Sequence, residues 1–340
     1  MVKVSFIVSA YNIQDYISKC VQSLMNQTLE DIEIIIVNDG STDNTFSEIE
    51  KITKEDNRIE IIDKNNEGVM RARETGYEQA NGEYILFVDG DDWLDENAAE
   101  KLYEKAKEKD YDIVSFGFYF TDGEKKVKGI SVRNDLYDNL KGDNFLVMVL
   151  TNKIYPPLWS KLIKRSFIKS NNVVFPNFIE KAQDLAFSCS LGIHYPNSCV
   201  IDDCLYYYFT SRSTSVTNTM SPIIFEVEKA VSFIRKQLKF NNMLKSYKEE
   251  FDFLAFYHLY WVNRRLIYDN NKFSKPIYKM WKSTGIDLRK NKYFNHLIMK
   301  ESFKARVIIK MIIYNYTLGR LIVNFHGFYI NILKKRNTFV

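Results

Sequence analysis

The first third of this chain alternates short, almost wholly apolar runs with segments of helix length, and no other feature constrains its fold as much. Val2–Ser9, Ile32–Val37, Arg58–Asp63, Glu83–Val88 and Asp112–Phe116 read as strands. Ile13–Met25, Thr45–Lys54, Glu67–Ala80 and Asp95–Lys107 read as the helices between them, with Asn66 placed to cap the third. Near-continuous Val/Ile runs alternating with helices predict an α/β fold with a mostly parallel, Rossmann-like sheet covered on both faces. Such sheets bind ligands beyond the carboxyl ends of their strands. Four polar clusters sit at those ends: Ser9-Ala10-Tyr11-Asn12, Asn38-Asp39-Gly40-Ser41, Asp63-Lys64-Asn65-Asn66 and Asp89-Gly90-Asp91-Asp92. All four are expected to line one crevice.

The fourth cluster is chemically the sharpest. A buried strand, Tyr84–Val88, ends in three carboxylates around a glycine, and carboxylates so close repel unless something positive lies among them. Mg²⁺ or Mn²⁺ carrying a phosphorylated ligand suits such oxygens, because these ions use few protein ligands and complete their shell with phosphates. The competing reading is a plain turn in which Asp91 or Asp92 caps a helix beginning near Trp93. In the second cluster Gly40 permits a tight turn and Asp39 is placed to accept a hydrogen bond from a base or ribose; a turn with a helix cap is the alternative. Gly68–Gly76 opens the third helix. Arg71 and Arg73 lie two residues apart there, so only one of them faces the crevice. The stretch has neither the spacing of a phosphate-cradling P-loop nor that of a dinucleotide fingerprint, which argues against an NTPase or a dehydrogenase.

Composition narrows the classes further. A net charge of +4 on 340 residues makes no demand for nucleic acid. Cys20, Cys189, Cys199 and Cys204 contain no C-x-x-C pair, so reduced thiols in an intracellular protein are expected rather than a zinc site. The N-terminus is too short and strand-like for a signal peptide, and no uncharged apolar run has membrane-spanning length. After Phe118 a polar, Gly- and Lys-containing stretch predicts a hairpin or flap added to the sheet. Lys181–Ile193 reads as a helix, Val200–Phe209 as a last, aromatic strand, and the chain beyond about Ser221 as helical.

Val8-Ser9-Ala10-Tyr11-Asn12, Val37–Asp43, Gly68–Gly76 and Asp89–Trp93, in that order and spacing, resemble the family 2 glycosyltransferases of the GT-A fold over roughly residues 1–215. The resemblance implies an inverting, metal-dependent transferase that moves a sugar, a hexose or N-acetylhexosamine, from a nucleotide-sugar donor, most often a UDP-sugar. Asp89-Gly90-Asp91 is then the family's D-x-D element, with Asp91 on the metal and Asp89 near the ribose or the metal's water shell. Ala10, Tyr11 and Asp39 hold the nucleoside. Arg73 matches the arginine of the family's A-R-N motif and, with Asp89 and Gly90, is counted among the donor-binding residues; Glu74 here replaces the asparagine. The family's base lies in a Glu-Asp pair opening a later helix; here Asp184 keeps the carboxylate, Gln183 replaces the glutamate, and Glu180 is the reserve. Leu158–Ile163 resembles the W-x-K-L element, whose Trp159 either stacks on an acceptor sugar or anchors the flap. Tyr207–Ser215 resembles the aromatic strand and R-x-x-S loop, with Arg212 reaching toward the diphosphate. His194 is an outside candidate for the metal.

This reading divides the chain into a catalytic region, 1–220 (donor side 1–117, acceptor side 118–220), and a basic, aromatic helical region, 221–340. From Asn271 to Lys300 eight Lys and Arg residues face Asp287 alone, and Phe303–Leu333 mixes apolar residues with cations before Lys334-Lys335-Arg336. Such segments suit helices lying on an anionic membrane surface. Packing on the catalytic domain or on a second copy in a homo-oligomer is the equal alternative. The expected setting is cytoplasmic, with peripheral contact at the inner membrane face through 271–340, and the expected acceptor a glycan or lipid-linked glycan of cell-surface polysaccharide synthesis. Two rivals stand: a non-catalytic module that binds nucleotide-sugars or membranes, and a nucleotidyltransferase, whose Gly- and Lys/Arg-rich first loop Ser9–Asn12 does not supply.

Overall fold

The computed structural model describes residues 1–54, 56–129, 145–211, 222–264, 266 and 272–317. They fall into two compact units, one within residues 1–133 and 142–221 and the other from residue 222 onward.

The first unit is built on a nine-stranded sheet. β1 (Val4–Ala10), β2 (Ile32–Asp39), β3 (Ile59–Lys64) and β4 (Tyr84–Asp89) are parallel in the order β3-β2-β1-β4. The helices α1 (Ile17–Met25), α2 (Thr45–Thr53) and α3 (Val69–Gln79) link them in sequence, as the alternation predicts. α1 illustrates why: Ile17, Cys20, Val21 and Leu24 recur at helical spacing and all four are buried. Because β2 and β3 lie on one side of β1 and β4 on the other, the topological switch point falls between β1 and β4. In register, Ser9 is opposite Asp89 and Ala10 is opposite Asn38, so the polar strand ends meet at that point.

The rest of the sheet departs from a simple parallel pattern. β5 (Trp93–Leu94) follows the acidic turn, and α4 (Ala98–Glu108) begins only after Asn97. The expected helix near Trp93 is therefore absent. Trp93 instead pairs with Tyr207, their rings stacked at 5.7 Å, because the aromatic strand β9 (Ser198–Phe209) supplies a partner that α4 cannot. β6 (Ile113–Thr121) runs past the predicted Phe116 and turns at Gly123 into β7 (Lys126–Lys128), forming the predicted hairpin. β8 (Lys161–Lys164) inserts antiparallel between β4 and β6. Its four residues are too few for the pattern to announce a strand. α5 (Phe145–Leu150), α6 (Arg165–Ser170) and α7 (Gln183–Gly192) complete the unit. All four cysteines are free, Cys20 and Cys189 buried.

The second unit is helical: Val227–Phe240, Lys248–Phe256 continuing through a π-turn at Tyr257–Trp261, Ser274–Ser283, Lys292–Met299 and Phe303–Tyr314. Its core explains much of the aromatic content. Phe256 makes edge contacts with Trp281 at 5.4 Å and Phe294 at 5.1 Å and stacks on Tyr260. Ile277, Ile309, Ile312 and Ile313 fill around them. No described helix is long and apolar enough to cross a membrane. The remainder of Phe303–Leu333 beyond Thr317, and Lys334–Arg336, lie outside the described residues.

Candidate active site

The strand ends are laced together by side chains that their turn sequences supply. Asn12, in a left-handed conformation at φ 51°, accepts from the Thr42 amide at 2.8 Å, and Ile13 donates its amide to Thr45 Oγ1 at 2.8 Å. These bonds bind the loop after β1 to the loop after β2. Asp39, buried, accepts from the Glu67 and Gly68 amides at 3.0 and 2.8 Å and from Lys64 Nζ at 3.1 Å. Its carboxylate thus fixes the entry to α3. Asn66 does not cap that helix; its side-chain amide donates to the Asp39 carbonyl, and Gly68 occupies the cap position. Gly40, at φ 69°, is required by the turn, since a Cβ there would sit 2.6 Å from the Asn66 nitrogen. On the rim, Ala10 is 1% exposed and Tyr11 46%.

At the centre lies Arg73. Its guanidinium donates from Nη2 to Asp89 Oδ1 and from Nη1 to Asp184 Oδ1, both at 2.7 Å, with the arginine side chain only 3% exposed. One rigid fork therefore joins the end of β4 to the first turn of α7, and Arg73 is the arginine of the pair that faces the crevice. Burial opposes its charge, but Asp184 and Asp89 outweigh that and raise its pKa. Burial raises the Asp89 pKa; Arg73 pulls against it, while Asp91 and Asp184 push it further up. Arg71 points away and pairs with Glu74. Glu74 also accepts from Asn177 Nδ2 at 2.5 Å, so α3 grips the segment leading to α7 through two neighbouring residues. The carboxylate that stands in for the family's asparagine is spent on that brace.

α7 itself starts under strain. Ala182, at φ 63° and ψ 32°, adopts a left-handed conformation unusual for a residue with a Cβ, and such strain is concentrated at functional sites. Gln183 turns back and donates to the Ile179 carbonyl. Asp184 lies in the first turn, where the helix dipole favours a carboxylate. Glu180 is exposed, before the helix. His194 lies past the far end of α7, about 15 Å along the axis from Asp184 at 1.5 Å per residue, and packs edge-on against Phe167.

The acidic turn is organised by a residue that the sequence pattern casts only as a helix cap. Asp92, 1% exposed, accepts from Tyr206 Oη and from the Phe209 amide, each at 2.7 Å. Tyr206 Oη in turn accepts from the Asp89 amide at 3.1 Å. Asp92 is thus a brace from the turn to β9, not a cap: β5 follows it, and α4 starts only at Ala98. Burial pushes its carboxyl well above the usual range, with the neighbouring Asp91 and Asp89 adding to the effect. Gly90 is demanded by packing, because a Cβ would lie 2.5 Å from Ile13 Cδ1 and 3.0 Å from the Ser9 carbonyl oxygen. Tyr206→Phe keeps the ring in place against Trp159 and removes the one hydroxyl that links Asp89 to Asp92. It is expected to lower stability by about 1–3 kcal/mol in urea unfolding, the cost of an unsatisfied buried partner. A change near zero would mean that the brace contributes nothing.

Two acceptor-side expectations change. Trp159 is 3% exposed, stacked on Tyr206 at 4.5 Å and Tyr208 at 5.6 Å, with Phe118 edge-on at 4.8 Å. It anchors the sheet and offers no free face to a sugar. Next to it Lys161, 0% exposed, donates to the carbonyls of Tyr155, Pro156 and Pro157 at 2.7, 3.2 and 2.8 Å. Burial pushes its pKa down to about 7, and the charge of Asp184 pulls the other way. Sequence reasoning had Lys161 only as the lysine of the W-x-K-L element and missed its role as the clamp of the Tyr155–Pro157 loop. Arg212 lies outside the described residues.

A divalent ion fits the acidic turn only as a partner of a ligand that brings oxygens of its own. Among the described residues no three acidic, histidine or cysteine side chains converge into a self-sufficient cage. Asp89 has one carboxylate oxygen committed to Arg73, and Asp91 lies beside it, half-buried. Two carboxylates, completed by phosphate and water oxygens, is the donor set Mg²⁺ and Mn²⁺ use.

Polar strand ends gathered at the switch point of an open α/β sheet, with an acidic turn and a carboxylate-bearing helix joined by Arg73, lie where sheets of this class bind their ligands. Residues 5–164 match the family model for Glycosyl transferase family 2. EpsH of Bacillus subtilis strain 168, named as a glycosyltransferase, is 31% identical over 263 residues, which covers 75% of this chain and 74% of EpsH. The chain belongs to glycosyltransferase family 2. TarS of Staphylococcus aureus, named a poly(ribitol-phosphate) beta-N-acetylglucosaminyltransferase, is 28% identical over 62% of this chain and 36% of its own length. The structure of TarS 1–349 with UDP superposes with a TM-score of 0.64 at 19% identity, covering 82% of this chain and 80% of that one, and TarS has also been solved with UDP-GlcNAc. The mannosyltransferase PcManGT of Pyrobaculum calidifontis, solved with GDP-Man and Mn²⁺, gives 0.55 at 13% identity, covering 96% and 87%. The fold is GT-A-like.

Proposed function

We propose that this glycosyltransferase moves a hexose or N-acetylhexosamine, with inversion, from a UDP-sugar to a hydroxyl of a glycan or lipid-linked glycan in cell-surface polysaccharide synthesis. The observation that carries the reading is the guanidinium of Arg73, which holds Asp89 of the acidic turn and Asp184 of α7 at 2.7 Å each. The donor side and the acceptor side of a single-displacement reaction are thereby held on one rigid group. UDP bound to TarS, and the naming of TarS as a transferase onto a poly(ribitol-phosphate) polymer, support the donor and acceptor classes.

In this scheme Asp184 accepts the proton of the acceptor hydroxyl as its oxygen bonds to the anomeric carbon, and the bond from that carbon to the UDP oxygen breaks with its electron pair on UDP. Arg73 orients Asp184 and keeps its charge tolerable beside Asp89. Tyr11, Asp39 and Ala10 form the nucleoside wall. Mg²⁺ or Mn²⁺, held by Asp91 with Asp89 beside it, would neutralise negative charge on the diphosphate when bound.

The full chain, incubated with a panel of UDP- and GDP-sugars, is expected to show thermal stabilisation and slow nucleotide release with one UDP-sugar in Mn²⁺ or Mg²⁺. EDTA and Asp91→Asn are expected to abolish both. Stabilisation with no turnover, even with acceptor glycans present, would turn the reading into a non-catalytic binding module. Full activity in EDTA would remove the metal.

A further inference from the structure

We propose that Met299, Phe303, Val307 and Tyr314 form a face that docks the C-terminal unit on the surface of an anionic bilayer. The helix Phe303–Tyr314 is apolar on both sides. Inward, Ala305, Ile308, Ile309, Ile312 and Ile313 are buried in the aromatic core. Outward, Phe303 is 73% exposed, Val307 40% and Tyr314 39%, and Met299, at the end of the preceding helix, 67%. At about 100° per residue, positions 303, 307, 310 and 314 fall on one narrow stripe. Single exposed apolar residues are ordinary, but a stripe of them along one helix marks an interaction surface.

Charge selects the occupant. Lys310 lies within the stripe, and Lys300 sits in the link between Met299 and Phe303. Arg289 is ion-paired with Asp287 at 2.6 Å and both act on the Tyr314 phenol, so that pair adds no net charge to the face. Residues 272–317 carry eleven Lys and Arg against two acids, Asp287 and Glu301, an excess that remains after Lys292 is matched by Glu249 and Glu250. A second copy of the chain would bring the same cations to the contact and set Lys310 against its own image. Phosphate headgroups complement them, while the stripe, about 16 Å from Phe303 to Tyr314, lies in the interface plane instead of crossing it.

The face does not depend on the proposed reaction, so the two readings fail separately. The full chain is floated with phosphatidylcholine vesicles, with and without phosphatidylglycerol. Binding is expected only with phosphatidylglycerol, weakened by salt. The double variant Phe303→Ser, Val307→Ser is expected to bind about tenfold or more weakly, given the area these side chains bury. Lys310→Glu is expected to bind more weakly than the wild type. Circular dichroism and urea unfolding of the variants are expected to match the wild type, which confirms that they fold. Wild-type protein that stays with the soluble fraction, or variants that float like it, would overturn the proposal. So would equal binding to phosphatidylcholine, or a dimer in light scattering that Phe303→Ser dissociates.

Discussion

Asp184→Asn is expected to bind the nucleotide-sugar as the wild type does and to transfer sugar about 10²–10⁴-fold more slowly, the range contributed by a positioned general base. The substitution is nearly isosteric. An asparagine carbonyl oxygen still accepts from Arg73 Nη1, so the fork between β4 and α7 survives, and Asp89 still balances the guanidinium. What is lost is the capacity to take a proton. Donor affinity by calorimetry, set beside single-turnover transfer, separates the two outcomes. A wild-type transfer rate would move the base elsewhere, and Glu180, exposed ahead of the helix, would be next. Equal losses of donor binding and transfer would instead make Asp184 a structural carboxylate.

Arg73→Met is expected to do damage of a different kind. It preserves much of the buried volume but leaves Asp89 and Asp184 facing one another with no cation between them. Removing one partner of a buried ion pair typically costs about 3–5 kcal/mol. Asp89 and Asp184 keep 27% and 26% of their side-chain surface in contact with solvent, so the lower end of that range is expected. The pKa of Asp89, already raised by burial, is expected to rise further without Arg73, which pulls it down. Arg73→Lys should fall between, because an ammonium is a point charge and cannot reproduce the two-pronged fork. Urea unfolding, with donor binding measured on the fraction that folds, checks this. If Arg73→Met matched the wild type in both, the guanidinium would be neither a structural nor a functional link.

Much of the first hundred residues was legible beforehand. The strands and helices of the first hundred residues follow from periodicity, and the turn clusters at 9–12, 38–41, 63–66 and 89–92 follow from the chemistry of Gly, Asn and Asp in turns. These are local rules, and they operate within a few residues of one another. They also placed the polar ends of parallel strands on one edge, where the registers of β1 with β2 and β4 put them. Asp92 shows where the local rules stop: beside a glycine and ahead of a helical segment it reads as a cap, yet its partners Tyr206 and Phe209 lie 114 and 117 residues away.

Amphipathic period and turn propensity are carried by neighbours along the chain, so the class of the fold, the polar strand ends and the carboxylates they hold could be read before any contact was known. What those groups do to one another came from long-range packing. It put Arg73 between Asp89 and Asp184, 111 residues from the latter, sank Trp159 out of reach of a sugar, and slid β8 between β4 and β6. The physical reason is common to all three. Burial and pairing depend on which distant surfaces dock, and no residue states its distant partner in its own local pattern.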